Sequence, residues 1–544
     1  MMRKISVLAL ALSLLAMTAA GCGSTGSGTA SEKAAETASP VTTAPVITTN
    51  LAKPDMTKWQ YSADDDVYYQ TGLAYCEKPA DDVHEKLAVF VPSAYLDASD
   101  NGDGTYTCKV NESAVKNGYT AAKAPILMPI FSEGYYDVMA LNSYEERYED
   151  VTRYTSQGFV YVHAGCRGIN EGAPAGVTDL KAAIRYLRYC SDVLAGDAES
   201  IFVYGISGGG AQAAILGAAG DSELYTPYLE AIGAVQGVSD AVAGSMDWCP
   251  IIDLDTANAE YEWMMGCTRS GRSAEEQAIS DGLAKAFAEY VNGAGFTDRN
   301  GNALTLEESK EGIYQAGSYY NYVKSVIEES LNHYLSDTDF SSIPLKSAKN
   351  YIDDLNADGE WVTYDESKNT AAIKSIADFA KNCKKATNLP FAFDQPNSRN
   401  TLFGVGDGKG SHFDRMLADV LEKQGSESAA DYTADFQKTD ALGSTLGKRV
   451  DMYTPLYYLM ETREGFGKSA VAKYWRIRTG IAQANTSVTT EINLALALEK
   501  YNGVKSVDFE TVWEKTHEPA ERTGDSTENF IEWVNSCMKG QALS

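Results

Sequence analysis

Ile201-Phe-Val-Tyr204 is an apolar, β-branched and aromatic run that ends on Gly205-Ile206-Ser207-Gly208-Gly209 and passes directly into an Ala-rich segment reaching about Ala219. A buried strand, a turn of small residues and a helix in immediate succession leave the chain few alternatives. Small residues on both sides of Ser207 suit a sharp strand-to-helix turn that exposes a serine hydroxyl. The flanking segments repeat the alternation. Lys86 to Pro92, Ala124 to Phe131 and Gly158 to His163 read as earlier strands, and Asp179 to Leu194 places Leu180, Ile184, Leu187, Cys190 and Leu194 on one helical face. The pattern predicts an α/β fold, a mostly parallel sheet flanked by helices and built with right-handed crossovers.

From about Thr268 to Thr445 the alternation stops and long amphipathic helices take over, such as Ala274 to Val291 and Gly317 to Leu335. Such a stretch is too long for a loop, so 268–445 is expected to be a large, mainly helical cap inserted between two parts of one core, 54–267 and 446–544. Strand and helix signals return with Tyr474 to Gly480, Val488 to Tyr501, Ser506 to Trp513 and Ser526 to Met538. At the other end, Arg3 and Lys4 precede the apolar run Ile5 to Met17, which is too short for a permanent membrane span and reads as an export signal over 1–22. Residues 23–53, rich in Ser, Thr, Gly and Ala, are expected to be a flexible linker.

Seventy-five Asp and Glu against 46 Lys and Arg give a net charge of −29, which opposes a phosphate-backbone partner and excludes nucleic-acid binding as a class. The five histidines (84, 163, 333, 412 and 517) show no metal-binding spacing, so neither a metal nor any other cofactor is expected. Apart from Cys22, eight cysteines remain in a chain expected to be exported. Disulfides are permitted but not assigned, with Cys76 and Cys108 the first pair to test.

Ser207 is the candidate nucleophile. The amide of Gly208, at the helix N-terminus, is the first candidate oxyanion donor, and a second is expected from the loop Phe131 to Gly134, at Gly134. In this kind of site the base follows the nucleophile on a loop after a late strand. His84 and His163 precede Ser207, and His333 and His412 fall in the insertion. His517, just after the Ser506 to Trp513 strand, is the candidate base.

The run Gly205 to Ser222, with Trp248 to Leu254, Ala259 to Trp263, Tyr474 to Gly480 and Val507 to Phe509, resembles the bacterial tannases of subtype B and their esterase relatives. The likeness runs from about residue 60 onward and includes the insertion around Gly404 to His412. It implies an α/β-hydrolase fold with a large cap and hydrolysis of an ester by a serine nucleophile. It does not extend to the fungal tannase and feruloyl esterase pattern of cysteines beside the serine and the histidine, where this chain has Ile206 and Glu518. Ala19-Ala20-Gly21-Cys22 resembles the lipobox of bacterial lipoproteins, which implies lipidation at Cys22 and anchoring to the outer face of the cell membrane.

One departure stands out. The position that the resemblance gives to the catalytic acid holds Asn485, and the position of a second, phenol-binding carboxylate holds Ser487. An amide accepts an imidazole N–H but brings no charge to an imidazolium, and its NH₂ can select the wrong tautomer. Three readings follow: a weakened triad of Ser207, His517 and Asn485, an acid supplied by Asp253 or Asp255, or a lapsed hydrolase that binds at the cell surface. The expected activity is hydrolysis of a small or aromatic, tannase- or feruloyl-like ester through an acyl-enzyme, and the same triad would also serve a peptidase. Gly404 to Gly410 is read as a loop rather than a phosphate cradle, and Asp97 to Gly104 and Asp298 to Asn302 as turns rather than calcium loops.

Overall fold

Strands buried on both faces set the architecture. The computed structural model describes residues 46–384, 392–396 and 398–540. The export signal, Cys22 and most of the 23–53 linker lie outside them. Among the described residues nine strands form the central sheet. They are β1 (Gln60–Ser62), β2 (Val67–Ala74), β3 (Lys86–Pro92), β4 (Ile126–Ile130), β5 (Val160–Ala164), β6 (Ile201–Ile206), β7 (Gly244–Trp248), β8 (Tyr474–Gly480) and β9 (Ser506–Val512). Their order across the sheet is β1-β2-β3-β5-β4-β6-β7-β8-β9. From β5 through β9 all neighbours run parallel, whereas β1, β2 and β3 pair antiparallel and β3 joins β5 antiparallel. Every residue of β4, β5 and β7 is buried, which is the condition of a parallel sheet covered by helices on both faces.

Eight helices matter for the site and its surroundings: α1 (Ala175–Tyr189), α2 (Gly208–Ala218), α3 (Ala257–Met265), α4 (Ala274–Ala294), α5 (Ser318–Asp337), α6 (Arg415–Lys423), α7 (Thr489–Lys500) and α8 (Ser526–Met538). The expected α/β class is the one observed. The strand β7 escaped a firm reading because its sequence, Gly-Ser-Met-Asp-Trp, carries a weak strand signal. Asp247 survives in that buried strand by accepting the Ser245 hydroxyl at 2.6 Å, and burial pushes its carboxyl far above the usual range. Residues 268–445 hold α4, α5, α6 and a hairpin, Val362–Asp365 with Thr370–Ile373. In this stretch α4 packs on α3, and α5 packs along β9.

The eight described cysteines are free thiols, so Cys76 and Cys108 are not joined; Cys76 Sγ instead faces Glu85 Oε1 at 3.7 Å. Among the described residues no helix is long and apolar enough to cross a membrane.

Backbones approach closely where α2 leaves the sheet. All eleven residues of α2 are buried. A Cβ on Gly205 would fall 2.6 Å from the Gly209 carbonyl carbon, and one on Gly209 would fall 2.1 Å from Ile130 O. Backbone, not a flexible side chain, occupies both places. Gly209→Ala is therefore expected to lower the unfolding free energy by about 1–3 kcal/mol, read from the midpoint of urea denaturation at unchanged m-value.

Candidate active site

Ser207 joins β6 to α2 with φ 59° and ψ −121°, a conformation that L residues rarely hold. Its neighbours enforce the turn. Ser207 N–H donates to Trp248 O at 3.0 Å, and its carbonyl accepts from Ala211 N at 2.9 Å and Ile251 N at 3.3 Å. The side chain is half-buried at the C-terminal edge of the sheet.

Opposite it, the loop after β4 folds into a short 3₁₀ turn, Glu133–Tyr135. A Cβ on Gly208 would lie 2.4 Å from Tyr135 N and 3.0 Å from Gly134 N, so the turn and the first residue of α2 meet backbone to backbone. Tyr135 N–H is already committed to Ser132 O at 2.9 Å, which leaves Gly134 as the nearby loop amide. Gly208, in the first helical turn, has no intrahelical acceptor for its own amide. Gln212 Nε2 on α2 donates to Ser132 Oγ at 3.2 Å and ties the loop down, while the Tyr135 hydroxyl donates to Ile251 O.

His517 stands on the same edge, in the loop after β9. Cys249, which follows β7, binds that loop: its Sγ lies 3.8 Å from Thr516 O and 3.3 Å from Glu518 O and accepts from Gly480 N at 3.5 Å. Through Trp248 and Cys249 the serine turn and the histidine loop thus share one strand end. Among the described residues no hydrogen bond joins Ser207 Oγ to His517.

The partner of the imidazole is not Asn485. His517 Nδ1 hydrogen-bonds Gln483 Oε1 at 2.7 Å, whereas Asn485, two residues further along, is exposed and forms no bond to the ring. The local backbone explains the shift. Gln483 lies in the turn leaving β8, where its N–H closes on Gly480 O at 3.1 Å and its side chain is buried. From there Nε2 donates to Thr479 Oγ1 at 2.7 Å and to Glu491 Oε1 at 2.9 Å, and Thr479 Oγ1 donates to the same Glu491 oxygen at 3.0 Å. Glu491 sits in the first turn of α7, fully buried, and burial pushes its carboxyl up to about 7 against the pull of Lys384. Burial, reinforced by the positive charge of Arg399, holds the His517 imidazole below its usual 6.5.

The other candidates are engaged elsewhere. Asp253 accepts Leu456 N at 3.2 Å and Asp255 pairs with Arg463 at 2.8 Å, so neither supplies an acid to His517. Ser487 is buried, with its hydroxyl accepting from Thr489 Oγ1 at 2.7 Å. His84 bridges Asp81 and Asp137, His163 meets Met139 O, His333 meets Glu510, and His412 binds Asp394 while stacking on Tyr432. Gly404 closes against Lys409 and its carbonyl accepts from Arg449, and Asp97 to Gly104 lies largely within a hairpin.

Sequence reasoning missed Gln483, Glu491 and Arg399. Only the first had a local signal, its place just after the last residue of β8. Gln483→Ala removes the acceptor from His517 Nδ1 and is expected to lower kcat by about 10²–10⁴-fold, whereas Asn485→Ala leaves it within a few-fold of wild type; steady-state kinetics on an activated ester compares them.

A family model described as BD-FAE matches residues 114–305. Among solved structures, the tannin acyl hydrolase from Lactobacillus plantarum superposes with a TM-score of 0.67 at 27% identity, covering 86% of this chain and 94% of that one. The Fusobacterium nucleatum tannase gives 0.68 at 25%, covering 87% and 95%. A tannin acyl hydrolase in complex with ethyl gallate gives 0.67 at 28%, covering 87% and 94%. No curated protein sequence matches. Sheet order, serine turn and both kinds of likeness together show a chain that is similar, over most of its length, to tannin acyl hydrolases of the α/β-hydrolase fold.

Proposed function

We propose that the protein is a carboxylic ester hydrolase that works through an acyl-enzyme on Ser207. The observation that carries this reading is the serine held at positive φ between β6 and α2, with the Gly208 and Gly134 amides beside it and a half-buried, Nδ1-anchored imidazole on the same sheet edge. Ser207 Oγ attacks the ester carbonyl while His517 Nε2 takes its proton. The oxyanion forms beside the Gly208 and Gly134 amides, which point dipoles at charge that exists only along the reaction path. Imidazolium then returns the proton to the departing alcohol. Water, deprotonated by the same nitrogen, attacks the acyl group and frees Ser207 as the carboxylic acid leaves.

The similar structures support an aromatic acyl group, since one is a tannin acyl hydrolase with ethyl gallate and another with 3,4-dihydroxybenzoate. Buried Ser487 offers phenolic hydroxyls no carboxylate, so the substrate class is set here as small or aromatic esters rather than galloyl esters alone. Residues 268–445 serve as the cap over this site, a role that their packing on α3 and β9 supports. The apolar run 5–17 and Cys22 support export and a lipid anchor on the outer face of the cell membrane.

Ser207→Ala is expected to abolish hydrolysis of p-nitrophenyl acetate and methyl gallate, by about 10⁵–10⁶-fold in kcat. A fluorophosphonate should label the wild type and spare the variant. A folded wild type that neither reacts with the probe nor turns over either ester would instead be a binding protein on a hydrolase scaffold.

A further inference from the structure

We infer that Glu491 is a positioning residue for the His517 base, acting through the Gln483 side chain to fix the imidazole as its Nδ1–H tautomer. The inference rests on the esterase reading of Ser207 and His517. A glutamine beside a catalytic imidazole is ambiguous, because either end of its amide can face the ring. Here the far end of that amide removes the ambiguity. Gln483 Nε2 has two protons, and two acceptors lie within reach, Thr479 Oγ1 at 2.7 Å and Glu491 Oε1 at 2.9 Å. Thr479 has one proton and two acceptors, Glu491 Oε1 at 3.0 Å and Cys249 Sγ at 3.8 Å, and the shorter bond to the carboxylate closes the triangle of Thr479, Gln483 and Glu491. An ionised carboxylate only accepts. The NH₂ must face Glu491, Oε1 must face His517, and the nitrogen it meets at 2.7 Å must carry a proton. That leaves Nε2 with the lone pair that a base needs.

The arrangement places a negative charge one side chain behind the imidazole. Glu491 Oε2, fully buried, has no hydrogen-bond partner. Its surroundings decide its charge. The Lys384 ammonium, buried and donating to Ile481 O at 3.2 Å, favours the ionised form, while Glu260 on α3 disfavours it. Thr486 Oγ1 sits 3.5 Å away, and the Cys249 thiol borders the same pocket. On the far side of the relay, Arg399 faces His517.

A consequence in pH follows. While Glu491 is ionised the amide is locked, and burial raises the pH at which the carboxyl takes up a proton. Once protonated, the carboxyl can donate, the amide is free to turn, and its NH₂ can face Nδ1, which drives the proton to Nε2 and removes the base. His517 itself gains a proton below 6.5. Wild-type kcat is expected to fall on the acid side more steeply than one ionisation allows.

The test compares Glu491→Gln with the exchange variant Gln483→Glu/Glu491→Gln, using p-nitrophenyl acetate over pH 5–9. Glu491→Gln should lose about 10²–10³-fold in kcat at little change in KM, and its acid limb should become a single ionisation below 6.5. The exchange variant, which puts the carboxylate directly against Nδ1–H, should regain most of the rate and move the His517 limb above 6.5. Wild-type kcat and an unchanged profile in Glu491→Gln would overturn the inference. Nitrogen-15 NMR of histidine-labelled wild type decides the matter without any variant: neutral His517 should be the Nδ1–H form, and an Nε2–H form would overturn it. That spectrum is independent of turnover, whereas failure of Ser207 to react with a fluorophosphonate would strike the esterase reading alone.

Discussion

The site exists because two backbones touch where side chains would ordinarily keep them apart. At the head of α2 the helix rests on the ends of β4 and β6 with no Cβ between them, and only glycine at 205 and 209 permits that distance. This approach goes with the unusual backbone conformation of Ser207 and brings the Gly134 loop to the helix terminus. Strain of this kind costs on the order of 1–3 kcal/mol and persists only when surrounding structure over-determines it. Here the wholly buried α2, the bond Ser207 N–H donates to Trp248 and the bonds its carbonyl accepts from Ala211 and Ile251 do so.

Electrostatics at the sheet edge follow a different logic from a carboxylate set directly against histidine. A neutral amide touches the ring, and the nearest buried carboxylate is held at one remove by α7. Desolvation works against charge at both ends, raising Glu491 and lowering His517, so each ion relies on its neighbours. Glu491 has the Lys384 charge nearby and three donors on one oxygen.

Most of the sheet was legible because its strands are apolar runs bounded by turn residues, and Ser207 because its glycine pattern follows such a run. His517 was placed by the sequence in the loop after β9, where the structure also has it. The orienting group was not, for a physical reason: Asn485 matched the family spacing, but spacing counts residues while the turn after β8 decides which side chain points inward. Gln483 is folded under that turn and Asn485 is carried out to solvent. Glu491 read as an ordinary first-turn helix acid, since nothing local reveals that its helix starts inside the core. Strand β7 was blurred by Gly244, Ser245 and Asp247, whose polar pair is satisfied only within the folded sheet.

The helical insertion also bears on how the chain avoids its own kind. β9 is the outermost strand at its end of the sheet, and a bare outer strand offers a row of unpaired N–H and C=O groups to any passing chain. Helix α5 lies along it, Ser330 Oγ donates to Thr511 O at 2.7 Å, and His333 and Asp337 reach Glu510 and Arg522. At the opposite end the last strand is only three residues long. Residues 268–445 therefore seal the one long edge of the described sheet, and shortening them would expose a surface prone to strand-by-strand association.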